Sequence, residues 1–422
     1  MLIMDIGLKT GRLKKLMSRK SKMVMNTKNT RLKIFNGRVI TPYRLIENGT
    51  VLIENGKIIA VGTGDLDFPE AQLIDARNNY VSPGFIDLHT HGGGGHDFMD
   101  GTVEAFLEAA KVHALYGTTA MVPTTLTAET EDLLNTFSVY RQAKKENTEG
   151  AQFLGLHLEG PYFAISQKGA QDPRYIRTPK RVEYEQILNY SDDIIRWSAA
   201  PELDGAMEFG RELTQRGILA AIGHTDATSE DVAEALENGY THLTHLYSGM
   251  SGVMRRNAYR YAGVVESAFL FDQLTVEIIA DGIHLPPSLL QLIYKQLGPS
   301  RIALITDSMR AAGMGPGESM LGSLKDGLKV IVEDGVAKLP DRTAFAGSVA
   351  TADRLVRNMI QLAGVPLLHA VQMMTITPAR ICKIDTAKGS LTIGKDADLV
   401  IFDDDIQLKT TLINGRVIAN KL

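Results

Sequence analysis

Cysteine is almost absent from this 422-residue chain, which contains a single copy at Cys382. One cysteine cannot form an intrachain disulfide, so a reducing, cytoplasmic compartment is the expectation. Cys382 follows the apolar-flanked run Ala379–Ile381, which favours a place in the core over a role as nucleophile. The sequence also has no run of about 18 apolar residues, so it predicts no transmembrane helix and no membrane partner.

A strong charge of one sign is missing as well. The chain has 45 basic and 49 acidic residues, and its formal net charge of -4 gives no general reason to expect nucleic acid as a partner. The first 22 residues are different, since they carry seven basic residues against Asp5. They lack the apolar region and cleavage site of a secretory signal. We interpret 1–30 as a basic, disordered extension, with Met23 or Met25 as an alternative start.

What the chain does have is enough apolar sequence for a large fold with an appendage. Hydrophobic residues make up 44% and charged residues 22%, which suits an extensive core. The five residues Asn-Gly-Arg-Val-Ile occur at 36–40 and again at 414–418, and Asn55-Gly56 is a third copy of the dipeptide. Asn-Gly between β-branched runs is typical of hairpin turns. Both chain ends are therefore predicted to form one small β-sandwich domain, made of 31–80, 320–342 and 385–422, in which Lys329–Leu339 is a further hairpin.

Between these ends, apolar strands alternate with amphipathic helices. Three helices are predicted at Val103–Leu115, Ser229–Asn238 and Leu289–Leu297. The eight predicted strands are Val81–His91, Thr118–Thr125, Phe153–Pro161, Ile194–Pro201, Leu219–Thr225, His242–Ser248, Val276–His284 and Ile302–Ser308. This rhythm predicts an α/β fold, a (β/α)8 TIM-type barrel over 81–319 and 343–384. A doubly wound open sheet is the alternative, but polar residues at most strand ends favour the barrel.

The polar residues at the ends of the predicted strands indicate the function. They are His89, His91, Glu159, His224, His242, His245, His284 and Asp307, and they include six of the ten histidines. Imidazole and carboxylate are the ligands that zinc and similar divalent ions prefer. His89 and His91 are two residues apart in a strand, so both side chains point to one face. Glu159 lies in an apolar strand, where an unpaired carboxylate is costly, and it therefore requires a cation.

From about residue 31 to 420 the chain resembles the N-acetylglucosamine-6-phosphate deacetylases of the amidohydrolase superfamily. His-Leu-Glu-Gly-Pro at 157–161 is the motif most specific to the deacetylases, and Gly-Lys-Asp-Ala-Asp-Leu-Val at 394–400 is general to amidohydrolases. The other matching segments are 83–92, 223–225, 244–247, 280–284, 306–307 and 346–348.

The resemblance implies a role for each matching residue. Glu159, His224 and His245 match the principal metal ligands. His89 and His91 match a second-metal pair that only some members keep, so one or two divalent ions, zinc or iron, are expected. Asp307 matches the catalytic carboxylate and His284 the histidine that contacts the scissile carbonyl oxygen. His242 matches no family role and is interpreted as structural.

The implied reaction is hydrolysis of N-acetylglucosamine 6-phosphate to glucosamine 6-phosphate and acetate. A metal-activated water would attack the amide, with Asp307 as general base and then general acid. The substrate's phosphate would meet Arg256, in the basic cluster after the sixth strand; in some members of the family this contact comes from a neighbouring subunit. The resemblance also implies a homodimer. A second basic group lies in the loop 163–181.

Two departures from the family pattern concern the substrate side. Gln171 stands where many members have histidine, and Ser248-Gly249 stands where Asn-Ala is usual. They leave N-acetylgalactosamine 6-phosphate, or another N-acyl amino sugar, open as the substrate. Amidohydrolases that bridge two metals with a carbamylated lysine are disfavoured, because 197–202 contains no lysine. A nucleobase deaminase of the same superfamily and a catalytically inactive scaffold also stay open at this point.

Overall fold

The computed structural model describes residues 30–422, so the extension predicted for 1–30 lies, but for its last residue, outside the described residues. Eight parallel strands follow one another around a barrel. They are β1 (Phe85–Thr90), β2 (Thr118–Thr125), β3 (Leu156–Glu159), β4 (Ile194–Ala199), β5 (Leu219–Ile222), β6 (Tyr240–Leu243), β7 (Thr275–Ile279) and β8 (Ile302–Ile305). Pairing is continuous from β1 to β8, and a parallel bridge between Thr90 and Ser308 joins the first strand to the last. The predicted barrel is confirmed.

Helices cover the outside of this barrel. They are α1 (Val103–Leu115), α2 (Thr130–Glu146), α3 (Arg181–Tyr190), α4 (Ala206–Gln215), α5 (Ser229–Glu237), α6 (Val264–Leu270), α7 (Pro287–Leu297), α8 (Ala352–Gln361), α9 (Leu367–Met373) and α10 (Ile376–Ile381). Local sequence sets their starts: the Thr102 hydroxyl caps α1, and Thr228 forms a reciprocal capping box with Asp231 at α5. Within residues 30–422, every helix is too short or too polar to cross a bilayer.

Both ends of the described chain enter one eight-stranded sheet. Its strands are Arg31–Ile40, Leu45–Glu54, Lys57–Thr63, Gln72–Asp75, Tyr80–Pro83, Leu399–Phe402, Leu408–Ile413 and Arg416–Asn420. Leu399–Phe402 pairs antiparallel with Tyr80–Pro83, and a bridge between Lys57 and Asp396 closes the other side. The sheet thus curls around its own core, to which Ile34 and Leu412 contribute from opposite ends of the sequence.

The Asn-Gly motif has two different outcomes. Asn55-Gly56 and Asn414-Gly415 have positive φ at both residues and form the predicted hairpin turns. The turn predicted at Asn36-Gly37 is wrong, because this pair lies inside the first strand at a register shift, where Asn36 has φ 56°. It is a β-bulge. A Cβ on Gly37 would lie 2.6 Å from a methyl carbon of Val81, so close packing explains the glycine.

Several predicted strands end earlier than expected: Leu219–Thr225 ends at Ile222, Ile302–Ser308 ends at Ile305, and His242–Ser248 is observed as Tyr240–Leu243. Two predicted segments also differ in the sheet that they join. The strand predicted over Val81–His91 is divided, since Tyr80–Pro83 belongs to the end sheet and β1 begins at Phe85. Gly84 lies at the division, and a Cβ there would be 2.2 Å from the Thr119 hydroxyl oxygen. The close approach of Thr119 in strand β2 leaves no room for a side chain at this position, which explains the glycine.

The strands within 320–342 do not join the end sheet, contrary to the expectation for this segment. Gly317–Leu321, Leu328–Glu333, Val336–Lys338 and Phe345–Ser348 form a separate antiparallel sheet. Its apolar side chains, such as Val330 and Val332, pack on Met309 just after β8. A bridge between Ser308 and Ser348 fixes it there. Lys329–Leu339 is thus a hairpin, but it stands at the carboxyl ends of the barrel strands.

Candidate active site

Glu159, the last residue of β3, is the centre of a buried group of imidazoles. Its Oε1 lies 2.9 Å from His245 Nε2 and 3.2 Å from His224 Nε2. Its Oε2 lies 3.3 Å from His91 Nε2, and His89 Nε2 is 3.6 Å from Oε1. Four histidines from three distant segments of the sequence therefore meet at one carboxylate, at the carboxyl end of the barrel.

These residues form two overlapping groups of possible metal ligands. One is His89, His91 and Glu159, and the other is Glu159, His224 and His245; in each, the donor atoms lie within 4.8 Å of one another. Asp307 borders the first group, since its Oδ1 is 3.2 Å from His91 Nε2 and 3.4 Å from His89 Nε2. Glu159 belongs to both groups, so one residue connects the two positions at which an ion could bind.

Three of these side chains share an unusual backbone conformation. His224, His245 and Asp307 each come two residues after the end of a strand, namely β5, β6 and β8. Their φ angles are 49°, 28° and 45°. Positive φ is uncommon for residues other than glycine and is costly, so it persists where the surrounding structure requires it, often at functional sites. The same backbone conformation therefore places three polar side chains at this rim.

Backbone carbonyl oxygens orient His224 and His245 by accepting hydrogen bonds from their Nδ1 atoms. His224 Nδ1 is 2.7 Å from the Gln167 carbonyl oxygen, and His245 Nδ1 is 3.1 Å from that of Ser248. An N–H at Nδ1 donates to each carbonyl, which leaves the Nε2 lone pair towards Glu159. Lone pairs facing a carboxylate repel unless a cation or a second proton lies between them. The donor set therefore fits a divalent metal ion, as the sequence predicted.

The electrostatics of the group also favour uptake of positive charge. Burial alone would lower the pKa of His89, but Asp307, Glu159 and Glu277 outweigh it and raise this pKa to about 9. Burial alone would raise the pKa of Glu159, yet His89 and the close contacts with the imidazoles of His224 and His245 hold it well below its ordinary value. Asp307 behaves similarly, its pKa lowered by His89 and His91 against the effect of burial. The carboxylates stay ionised.

Metal affinity of the metal-free protein is expected to rise with pH. His89 carries a second ring proton below about pH 9. A histidine that binds a metal must be neutral, so binding releases this second proton. The association constant should rise about tenfold per pH unit for each proton released between pH 6 and 8, and level off above the pKa. Chelator-buffered titrations at several pH values measure the slope, and a flat profile over this range would contradict the expectation.

A cavity of about 340 Å³ opens beside the metal-ligand group. Its walls include Glu159, Asp307, Gln171, Ser248, Gly249 and His284. The candidate substrate-binding residues other than Arg256 thus line the same space as the metal ligands. Arg256 is different, because it lies in an exposed hairpin of Met254–Arg256 with Tyr259–Tyr261, outside these walls.

Gln171 and His284 have specific partners at this cavity. The Gln171 side-chain amide donates to Glu159 Oε2 at 2.8 Å, and its oxygen accepts from the Thr127 backbone at 2.9 Å. Sequence reasoning placed Gln171 on the substrate side; in the structure it lines the cavity and also contacts the metal-ligand candidate Glu159. His284 Nδ1 lies 2.8 Å from Asp281 Oδ2, and its ring packs against Phe345 with centroids 4.7 Å apart. Asp281 therefore orients His284.

Sequence reasoning missed another buried carboxylate next to the metal-ligand groups, Glu277 on β7. It is fully buried and contacts His89 Nδ1 at 2.8 Å, as well as the guanidinium of Arg196 on β4. His242 lies near it at 3.5 Å and bonds to Thr275, in keeping with the structural role expected for His242. The signal was available, because Glu277 interrupts an apolar strand in the same way as Glu159 does.

A closed α/β barrel with histidine, glutamate and aspartate at the carboxyl ends of its strands defines the class of metal-dependent barrel hydrolases. The sequence model of the Amidohydrolase family matches residues 80–418. The chain is 35% identical over 366 residues to an N-acetylglucosamine-6-phosphate deacetylase of Vibrio furnissii, covering 86% of this chain and 89% of the relative. It is 33% identical to an N-acetylgalactosamine-6-phosphate deacetylase of Escherichia coli O157:H7, with 90% and 97% covered.

Solved structures agree with these relatives. An N-acetyl-D-glucosamine-6-phosphate deacetylase variant from Mycobacterium smegmatis, in complex with N-acetyl-D-glucosamine-6-phosphate, superimposes with a TM-score of 0.85 at 31% identity, covering 93% of this chain and 100% of that one. The chain belongs to the amidohydrolase family, in the branch of the N-acetylglucosamine-6-phosphate deacetylases. It is a hydrolase that acts on a carbon–nitrogen bond.

Proposed function

We propose that this enzyme removes the acetyl group from N-acetylglucosamine 6-phosphate, giving glucosamine 6-phosphate and acetate. The observation that carries the proposal is the contact of Glu159 with both His224 and His245, with Asp307 at the same rim. The relatives at 30–35% identity over most of the chain support the choice of substrate.

The proposed cofactor is a divalent ion, zinc or iron, held by Glu159, His224 and His245. His89 and His91, with Glu159, would hold a second ion. When bound, such an ion lowers the pKa of water towards about 7 and polarises a carbonyl group. Imidazole and carboxylate suit both metals, so the donor set alone does not choose between them.

Asp307 is proposed to move the proton. Its low pKa keeps it as a carboxylate, the form that accepts a proton from the attacking water. The amine cannot leave as an anion, so Asp307 then delivers the proton to the departing nitrogen. His284 is proposed to donate to the carbonyl oxygen as negative charge develops there. Because its Nδ1 hydrogen is directed to Asp281, this donation from Nε2 requires a hydrogen on both ring nitrogens.

Phosphate recognition is proposed to involve Arg256. Within the described part of the chain, the residues that line the cavity include no lysine or arginine. In the neighbouring loop, Arg174 pairs with Asp172 and Arg177 with Glu183. We propose that a homodimer brings the exposed Arg256 of one subunit to the site of the other. A cytoplasmic location suits the single cysteine and a sugar phosphate as substrate.

Arg256→Ala is expected to raise KM for the phosphorylated sugar about tenfold or more, with a smaller change in kcat, because an ionic contact to the phosphate is lost. Steady-state kinetics measure this change. The unphosphorylated sugar should be turned over equally by both proteins. Arg416→Ala, at an exposed position of the end sheet, is the matched control; equal effects of the two substitutions would contradict the role of Arg256.

The substrate is tested by following amine release from N-acetylglucosamine 6-phosphate with metal-loaded enzyme. The galacto-epimer and unphosphorylated N-acetylglucosamine are run in parallel. We expect the highest kcat/KM for the glucosamine derivative and the lowest for the unphosphorylated sugar. A preference for the galacto-epimer would favour the second candidate, which the relative at 33% identity supports. No turnover of any acetylated amino sugar would refute the proposed function.

A further inference from the structure

We propose that Glu277 is a positioning residue for the metal centre, which fixes the proton of His89 on Nδ1 and so presents Nε2 to the ion. The inference rests on the metal site of the proposed function and adds a residue outside the cavity walls. Glu277 lies on β7, fully buried, and none of its atoms is exposed to a substrate in the cavity.

One oxygen of Glu277 contacts a ligand from each of the two metal-ligand groups. Its Oε1 is 2.8 Å from His89 Nδ1 and 3.3 Å from the backbone nitrogen of His245. A carboxylate can only accept hydrogen bonds, so His89 must donate from Nδ1. In the other tautomer, the hydrogen would be on Nε2, which faces Glu159 and Asp307 and would then be unable to bind a metal.

Arg196 keeps Glu277 in the ionised form that this role requires. The Arg196 guanidinium on β4 lies 2.6 Å from Glu277 Oε1, contacts Oε2 as well, and is itself 1% exposed. It also donates to the Thr244 hydroxyl, next to His245. The Arg196–Glu277 ion pair is neutral overall, so it adds no net charge next to the metal ligands.

A carboxylate behind a metal-bound imidazole typically changes metal affinity by a factor of about 10–100. We therefore expect Glu277→Gln to weaken binding of the ion at His89 and His91 by that factor, measured in chelator-buffered titrations of the metal without substrate. The key comparison is a double-mutant cycle that combines Glu277→Gln with His89→Ala. If Glu277 acts through His89, Glu277→Gln should change the affinity less than about twofold in the His89→Ala background.

Two outcomes would overturn the inference. One is independent effects, in which Glu277→Gln weakens binding by the same factor with and without His89. The other is an unchanged metal affinity of the His89→Ala variant, which would mean that His89 does not bind the ion. Since Glu277→Gln leaves the buried Arg196 charge without its partner, Arg196→Met combined with Glu277→Gln provides a second variant in which no charge is left unpaired. It should show the same weakening and the same dependence on His89.

These titrations separate the inference from the proposed function. The affinity is measured without substrate, so a coupled cycle would support Glu277 as a positioning residue even if no amino sugar were hydrolysed. Conversely, an active deacetylase with independent effects in the cycle would leave the proposed function intact and refute only the role of Glu277.

Discussion

Asp307→Asn is expected to reduce kcat for deacetylation by about a thousandfold or more. The substitution keeps the size of the side chain but removes its ability to accept and then deliver a proton. Asp307 lies at the rim with Oδ1 3.2 Å from His91 Nε2 and lines the cavity beside Glu159. Two proton transfers depend on one carboxylate, so both the attack on the amide and the departure of the amine should slow down.

The measurement must separate chemistry from metal loss. Metal content of the Asp307→Asn protein should stay close to wild type, because Glu159, His224 and His245 are unchanged. Asp272→Asn, at a side chain that is 96% exposed, is the matched control and should have wild-type kcat. A variant with full metal content and more than about a tenth of wild-type kcat would be incompatible with Asp307 as the acid and base.

The barrel could be predicted because its signals are local. Strand β2 and helix α1 begin and end at the predicted residues, where the hydrophobic pattern and the Thr102 cap coincide. The ligands could be located because glutamate and histidine at apolar strand ends are costly unless they are paired. Their placement two residues beyond β5, β6 and β8, with positive φ, could not be predicted, since histidine and aspartate give no local sign of that conformation.

Contacts between distant segments were the part that the sequence could not reveal. Asn36-Gly37 has the same sequence as the turn at Asn414-Gly415, yet it lies inside a strand as a bulge, with Gly37 packed against Val81. The hairpin around Lys329–Leu339 shows its strands in the sequence but not the sheet that it joins. Gln171 was assigned from its place in a motif, whereas its contact with Glu159 depends on the path of a long loop. Local pattern determines the elements, and packing determines their neighbours.

Glu159→Gln is expected to have the widest effect of any single change, because Glu159 belongs to both metal-ligand groups. The amide cannot supply the negative charge that balances an ion among four imidazoles. Metal affinity should fall on the order of a thousandfold, the cost of leaving buried charges without their partner, and deacetylation should fall with it.

Metal content after dialysis, measured by elemental analysis, tests this directly, and Glu318→Gln at an exposed position is the control. His91→Asn provides the contrast within the site, because it disrupts only the group of His89, His91 and Glu159 and should cost at most one ion. If Glu159→Gln lost no more metal than His91→Asn, the carboxylate would not connect the two positions. The contacts of Glu159 with both groups would then exist only in the metal-free protein. There, the protonated imidazoles of His89 and His91 would supply the positive charge that balances the Glu159 carboxylate.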